Sequence, residues 1–238
     1  MRKVILVLAF AFSSVLLVSA QDCMTFFPVS KGAILTNKTY DANNNNLLAT
    51  TVYKVNETND YTSNADMQIG FVMTNGNNAI IDQGNLDARC NDGMFSLKMI
   101  NRAICPEAVD LLTTDTELIG DFLDYPNTFV GSYPFDNTFN MSGGEFTIRS
   151  KSEKKDLARV RVYNRNYVNN ENITTPAGNF DASKITFDFD VAKDGNTTTY
   201  KGVEWYSTGA GIVRSETYDK DGSMRNFSEL TSLDTNQK

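Results

Sequence analysis

The stretch KITFDFDV, Lys184 to Val191, alternates strictly between polar and apolar side chains. Ile185, Phe187, Phe189 and Val191 fall on one side of an extended chain, and Lys184, Thr186, Asp188 and Asp190 fall on the other. That is the period of a half-buried strand. The same period recurs in both directions, at LLATTVYKV (47–55), ADMQIGFVMT (65–74), GEFTIRSK (144–151), ARVRVYNR (158–165), KGVEWYS (201–207) and GIVRSETY (211–218). Between these segments stand TNGNN (74–78), AKDGN (192–196) and YDKDG (218–222), where Gly or Asn supplies the positive φ of tight turns. A run of hairpins on this scale predicts a mainly β protein, an antiparallel curved sheet or open, half-closed barrel.

Two stretches break the pattern. In ITTPAGNF (173–180), Pro176 presets φ for a turn, Gly178 can take a left-handed conformation, and Phe180 resumes the strand. The segment holds no nucleophile and no convergent charge, so it reads as a corner rather than a reactive loop. In CPEAVDLLTTDTELIGDFL (105–123), Pro106 and Glu107 can open a helix, and Val109, Leu112, Leu118 and Phe122 suit a helical face. This predicts a short helical insert able to act as a lid.

The chain opens MRKVILVLAFAFSSVLLVSAQD, with Arg2 and Lys3 before an apolar run and Val18, Ser19 and Ala20 at its end. That is the form of a secretory signal peptide, cleaved after Ala20, which leaves residues 21–238 as a single exported β domain. Cys23 raises the possibility of an acylated N-terminus, but Asp22 stands where a lipobox needs a small residue. Removing residues 1–20 takes away Arg2 and Lys3 and no acid, so the net charge moves from −7 to −9. Such a body repels nucleic acid and anionic surfaces. No later apolar run reaches the roughly 20 residues of a bilayer span, so no membrane span is expected in the mature chain.

The sequence contains no histidine, which removes His-dependent triads and HExxH zinc sites. Its three cysteines, Cys23, Cys90 and Cys105, show no CxxC spacing and point to one disulfide plus one remaining thiol. Loop entropy alone favours Cys90–Cys105. No catalytic, cofactor-binding or metal-binding residue emerges, and the protein is expected not to be an enzyme. Glu204, Glu216, Asp188 and Asp190 could supply the paired carboxylates of a glycosidase, yet they read as ordinary outward charges.

Candidate ligand contacts are few. Arg159, Arg161, Tyr163 and Arg165 share one face of a regular strand, which suits an anionic group or a solvated face partnered by Asp188 and Asp190. Trp205 and Tyr206, followed by Gly209 and Gly211, form a possible stacking platform for sugar or lipid; alternation also places Trp205 with Val203 in a core.

The series NRNYVNNENITTPAGNFDASKITFDF and VEWYSTGAGIVRSETYDKDG, with CMTFFPVSKG and CNDGMF, resembles the exported YmcC-like or TapB-like β-proteins of unknown function from Bacteroidetes. The resemblance implies the open barrel of a lipoprotein carrier, a half-closed sheet around an apolar hollow. It also implies a cell-envelope address, in the periplasm or at the surface of a Gram-negative bacterium. It places cysteines at positions matching Cys23 and Cys90, and so implies a Cys23–Cys90 disulfide; Ala182 departs from an expected family cysteine. Two functions follow. One is a carrier or binder of an apolar or glycolipid-like ligand, and the other is an envelope interaction module holding a protein or polysaccharide partner.

Overall fold

The turns joining the alternating segments are too short for anything but antiparallel hairpins, and this sets the topology. A computed structural model describes residues 30–61, 64–91, 94–98, 106–126 and 140–235. In chain order its elements are β1 (Ile34–Asp41), β2 (Leu47–Tyr61), β3 (Asn64–Asn75), β4 (Ile80–Asn91), β5 (Met94–Lys98), the one-turn helix α1 (Pro106–Val109), β6 (Thr116–Gly120), β7 (Phe122–Pro126), β8 (Asn140–Met141), β9 (Gly144–Ser150), β10 (Asp156–Thr175), β11 (Gly178–Lys193), β12 (Asn196–Ser207), β13 (Gly211–Tyr218) and β14 (Met224–Asp234). The expected signal peptide, Cys23 and Cys105 lie outside the described residues.

The strands form one sheet in the order β6-β9-β10-β11-β12-β13-β14-β1-β2-β3-β4-β5-β7, with β8 beside β10. Every pairing among the described residues is antiparallel. The strands at the two ends of this path, β6 and β7, are consecutive in the chain and separated only by Asp121. One extended segment thus pairs with β9 over its first half and with β5 over its second. This brings the sheet round into a nearly closed barrel with a single unsealed seam.

The KITFDFDV strand behaves as its alternation predicts. Ile185, Phe187, Phe189 and Val191 are buried, while Lys184, Thr186, Asp188 and Asp190 are only half-buried. Phe189 stacks on Tyr200 with centroids 5.2 Å apart, and Phe187 lies 6.0 Å from Phe189, so aromatic rings fill part of the interior. The Pro-Ala-Gly segment is a corner, with Gly178 at φ 141°. It also fastens the longest hairpin: the Ala177 N–H donates to the Leu230 carbonyl on β14 at 3.3 Å.

The expected helical insert is corrected to the single turn of α1, followed by β6 and β7. Ala108, Val109 and Leu112 are buried in the core rather than poised as a lid. The competing force is edge pairing. Strands β9 and β5 would otherwise each present a row of unpaired N–H and C=O groups, and residues 116–126 satisfy both rows. Cys90 is buried on β4 and disulfide-bonded, with its partner outside the described residues.

Gly202 is set directly opposite Phe187, and a Cβ added there would overlap the Phe187 ring. Gly202→Ala is therefore expected to lower the free energy of unfolding in urea by about 1–3 kcal/mol through overpacking. In a Phe187→Ala background the same change should cost clearly less. Equal costs in the two backgrounds would show that the ring does not set the requirement for glycine.

Candidate functional site: the barrel lumen and its seam

Strand alternation sends every second side chain inward, and the lumen they enclose has two unlike walls. Ile69, Leu86, Phe95 and Leu97, from β3, β4 and β5, make an apolar wall. The rest of the lining is mixed: Asn37, Thr39 and Thr51 from β1 and β2 join Glu204, Ser215, Thr217 and Ser228 from β12, β13 and β14, with Leu35, Tyr53 and Ile212 among them. The hollow between them has a volume of about 80 Å³. Pockets for drug-sized ligands run to about 300–1,000 Å³, so this one is narrow.

Glu204 is the unexpected member. Cross-strand register pairs it with Ile185, so it points inward, and it is only 2% exposed. The Tyr125 hydroxyl donates to its carboxylate at 3.1 Å. Tyr125 also stacks on Tyr206, with centroids 5.0 Å apart. Burial, and then the nearby Tyr125, push the Tyr206 phenol well above its ordinary value, so it enters the lumen as a neutral hydroxyl. The reading of Glu204 as an outward charge is thus corrected. Val203 and Trp205 suggest the opposite parity, but a signal was present in the sequence, since Glu204 falls in phase with Tyr200 and Tyr206.

The same parity separates Trp205 from Tyr206. Trp205 pairs with Lys184, whose ammonium lies 5.2 Å from the indole, and so it belongs to the face opposite the lumen. It is buried there, as a core reading expects, but it does not line the hollow, and the two rings form no common platform.

The four-residue stripe on β10 also divides. Arg159 and Arg161 are exposed, and Arg159 pairs with Glu145 at 3.2 Å. The Arg161 guanidinium lies 5.7 Å from the Tyr163 ring, and the Tyr163 hydroxyl donates to Asp190 at 3.1 Å. These three make a solvated outer face partnered by acids. Arg165 leaves them because β10 bulges: between Tyr163↔Asp188 and Asn166↔Thr186, Asn164 and Arg165 together oppose Phe187. Asn164 takes the left-handed conformation, φ 52°, and Arg165 turns inward.

Arg165 is 1% exposed and lies at the seam. Its Nη1 donates to the Asp124 carbonyl on β7 at 3.0 Å and to the Ser142 carbonyl, between β8 and β9, at 2.9 Å. Its guanidinium lies 4.8 Å from the Tyr125 ring. On the other side of the β7 backbone, the Asp124 carboxylate accepts from Ser96 at 2.6 Å and from Ser142 at 3.1 Å. Side chains thus hold the join where the described strands form no ladder. Among the described residues, no group of three Cys, Asp or Glu side chains is placed to hold a metal ion.

A nearly closed antiparallel barrel with a narrow, two-sided lumen defines the class of protein. The chain belongs to the DUF3108-like family, whose profile matches residues 30–230. It is similar to a crystal structure from Bacteroides fragilis provisionally described as an exported protein with a YmcC-like fold. The two are 29% identical over 88% of this chain and 99% of that one, with a TM-score of 0.82. It is also similar to a protein of Parabacteroides distasonis provisionally described as a lipoprotein, 30% identical over 90% of this chain and 100% of that one, with a TM-score of 0.82. No curated protein matches the chain.

Near the β3–β4 turn, burial pushes the Asp82 carboxyl up to about 6, although the Gln83 N–H and the Lys151 charge both favour the ionised form. The folded value lies above the ordinary 3.8, so the folded chain binds the extra proton. Stability from this group is therefore present at low pH and is lost as the pH rises from about 4 to about 6. Asp82→Asn should raise the thermal midpoint at pH 7.5 and leave it nearly unchanged at pH 4. A larger gain at pH 4 would refute the assignment.

Proposed function

We propose that this is an exported envelope protein that holds an amphiphilic ligand, an apolar chain bearing a polar or glycolipid-like head, without chemically altering it. The observation that carries this reading is the division of the lumen. The lining from β3–β5 is wholly apolar, whereas that from β1, β2 and β12–β14 sets hydroxyl, amide and carboxylate groups among Leu35, Tyr53 and Ile212. A core meant only to be filled gains from apolar groups on both sides, because each buried polar group costs free energy unless it is hydrogen-bonded. The signal-peptide form of residues 1–20, together with relatives described as an exported protein and a lipoprotein, supports an address in the periplasm or at the cell surface. Cys90 is assigned to Cys23 in this oxidised setting, and a Cys90–Cys105 peptide in a non-reducing digest would reject that pairing.

The present hollow fits a single chain or a head, so binding a larger ligand widens the barrel. Widening costs least at the seam, where two Arg165 bonds and the Ser142–Asp124 bond replace a ladder. The purified mature protein, extracted with organic solvent, is expected to release an amphiphile in near-stoichiometric amount by mass spectrometry. Ser215→Trp, which fills the hollow, should abolish that release while leaving the fold intact by circular dichroism. Release of nothing from the wild-type protein, from its native source, would favour the envelope interaction module instead.

A further inference from the structure

We infer that Arg165 is the receptor for an oxyanion, the carboxylate or phosphate head of the amphiphile whose chain occupies the lumen; this rests on the ligand-holding reading above. The guanidinium is permanently charged and 1% exposed. Its two hydrogen bonds both leave from Nη1 and end on carbonyls, neither of which carries a formal charge. Nε and Nη2 are buried and have no hydrogen-bond partner among the described residues.

Those two nitrogens form the side-on edge of the guanidinium. Their N–H bonds point the same way, at the spacing of the two oxygens of a carboxylate or phosphate. Fastening the seam accounts for Nη1 alone. A neutral amide or a lysine could span the same carbonyls without burying a bidentate fork. A buried cation with an empty fork calls for a counter-ion, because leaving such an edge unpaired costs far more than pairing it.

The neighbours fit this role. The Tyr125 ring stacks on the guanidinium and also lines the lumen, so an anion on Arg165 would sit one ring away from the hollow. Tyr125 turns its hydroxyl away to Glu204, so the ring stands between the lumen carboxylate and the receptor. Both free nitrogens are shielded from solvent, and an anion therefore reaches them when β7 moves away from Ser142, which breaks the Arg165 Nη1 and Asp124–Ser142 bonds.

The test uses delipidated mature protein and four twelve-carbon probes below their micelle concentrations: dodecanoate, dodecyl phosphate, dodecanol and dodecylamine. Binding is read by calorimetry and thermal shift. Dodecanoate or dodecyl phosphate should bind about tenfold or more tighter than the alcohol and the amine, and the ratio between the first two tells which head is preferred. Arg165→Lys, which keeps the charge and loses the fork, should remove that advantage while dodecanol binding persists. Equal binding of all four probes would overturn the oxyanion assignment and leave the ligand-holding reading standing. Preference for dodecylamine would move the receptor to Glu204 and overturn it as well. Binding of none would overturn both readings. Should Arg165→Lys fail to fold, the wild-type probe series decides alone.

Discussion

The hold that Arg165 exerts on the carbonyls of Asp124 and Ser142 is the constraint around which the barrel is organised. Elsewhere each strand is secured to its neighbours by a ladder of backbone hydrogen bonds, and no single side chain decides whether the pairing survives. Along the edge of β7 that faces away from β5 that redundancy is missing, and the join rests on one guanidinium nitrogen and on the Asp124 carboxylate with its Ser142 donor. The bulge at Asn164 is what brings the guanidinium there. Without the extra residue, Arg165 would follow Arg161 and Tyr163 to the outer face, and the seam would lose its inner fastening.

The lumen follows from the same geometry. Residues Tyr125, Arg165 and Glu204 come from three distant parts of the chain and meet through a stacked ring and one hydroxyl. A guanidinium at the seam and a carboxyl group in the lumen are thereby both buried, with a phenol between them. This arrangement holds in a low-dielectric interior only when the surrounding hydrogen bonds are kept.

The fold was legible where alternation is long and uninterrupted. Lys184–Val191 shows its inner and outer faces directly, and the Gly178 corner follows from backbone sterics alone. Legibility ended where one residue changes phase. The stripe from Arg159 to Arg165 looks continuous because a bulge leaves no mark beyond an asparagine that tolerates positive φ. Glu204 was hidden for a different reason: charge was weighted above parity, although its own strand places it with Tyr200 and Tyr206. The stretch from Pro106 to Phe122 misled because helical spacing in a short apolar segment is weak information, and the unpaired edges of β5 and β9 lie far away in sequence.

Because β6 and β7 are one length of chain divided only by Asp121, the two margins of the sheet are tethered rather than independent. At that residue the Asp121 N–H still donates to the Glu145 carbonyl at 2.9 Å, and its carboxylate accepts the Glu145 N–H at 3.1 Å. The ring can therefore spread only as a clothes-peg does, from the β7 end, with Asp121 as the pivot and the β6–β9 pairing as the closed jaw. The stiffness of the pivot, rather than the strength of any ladder, then sets how far β7 can part from Ser142.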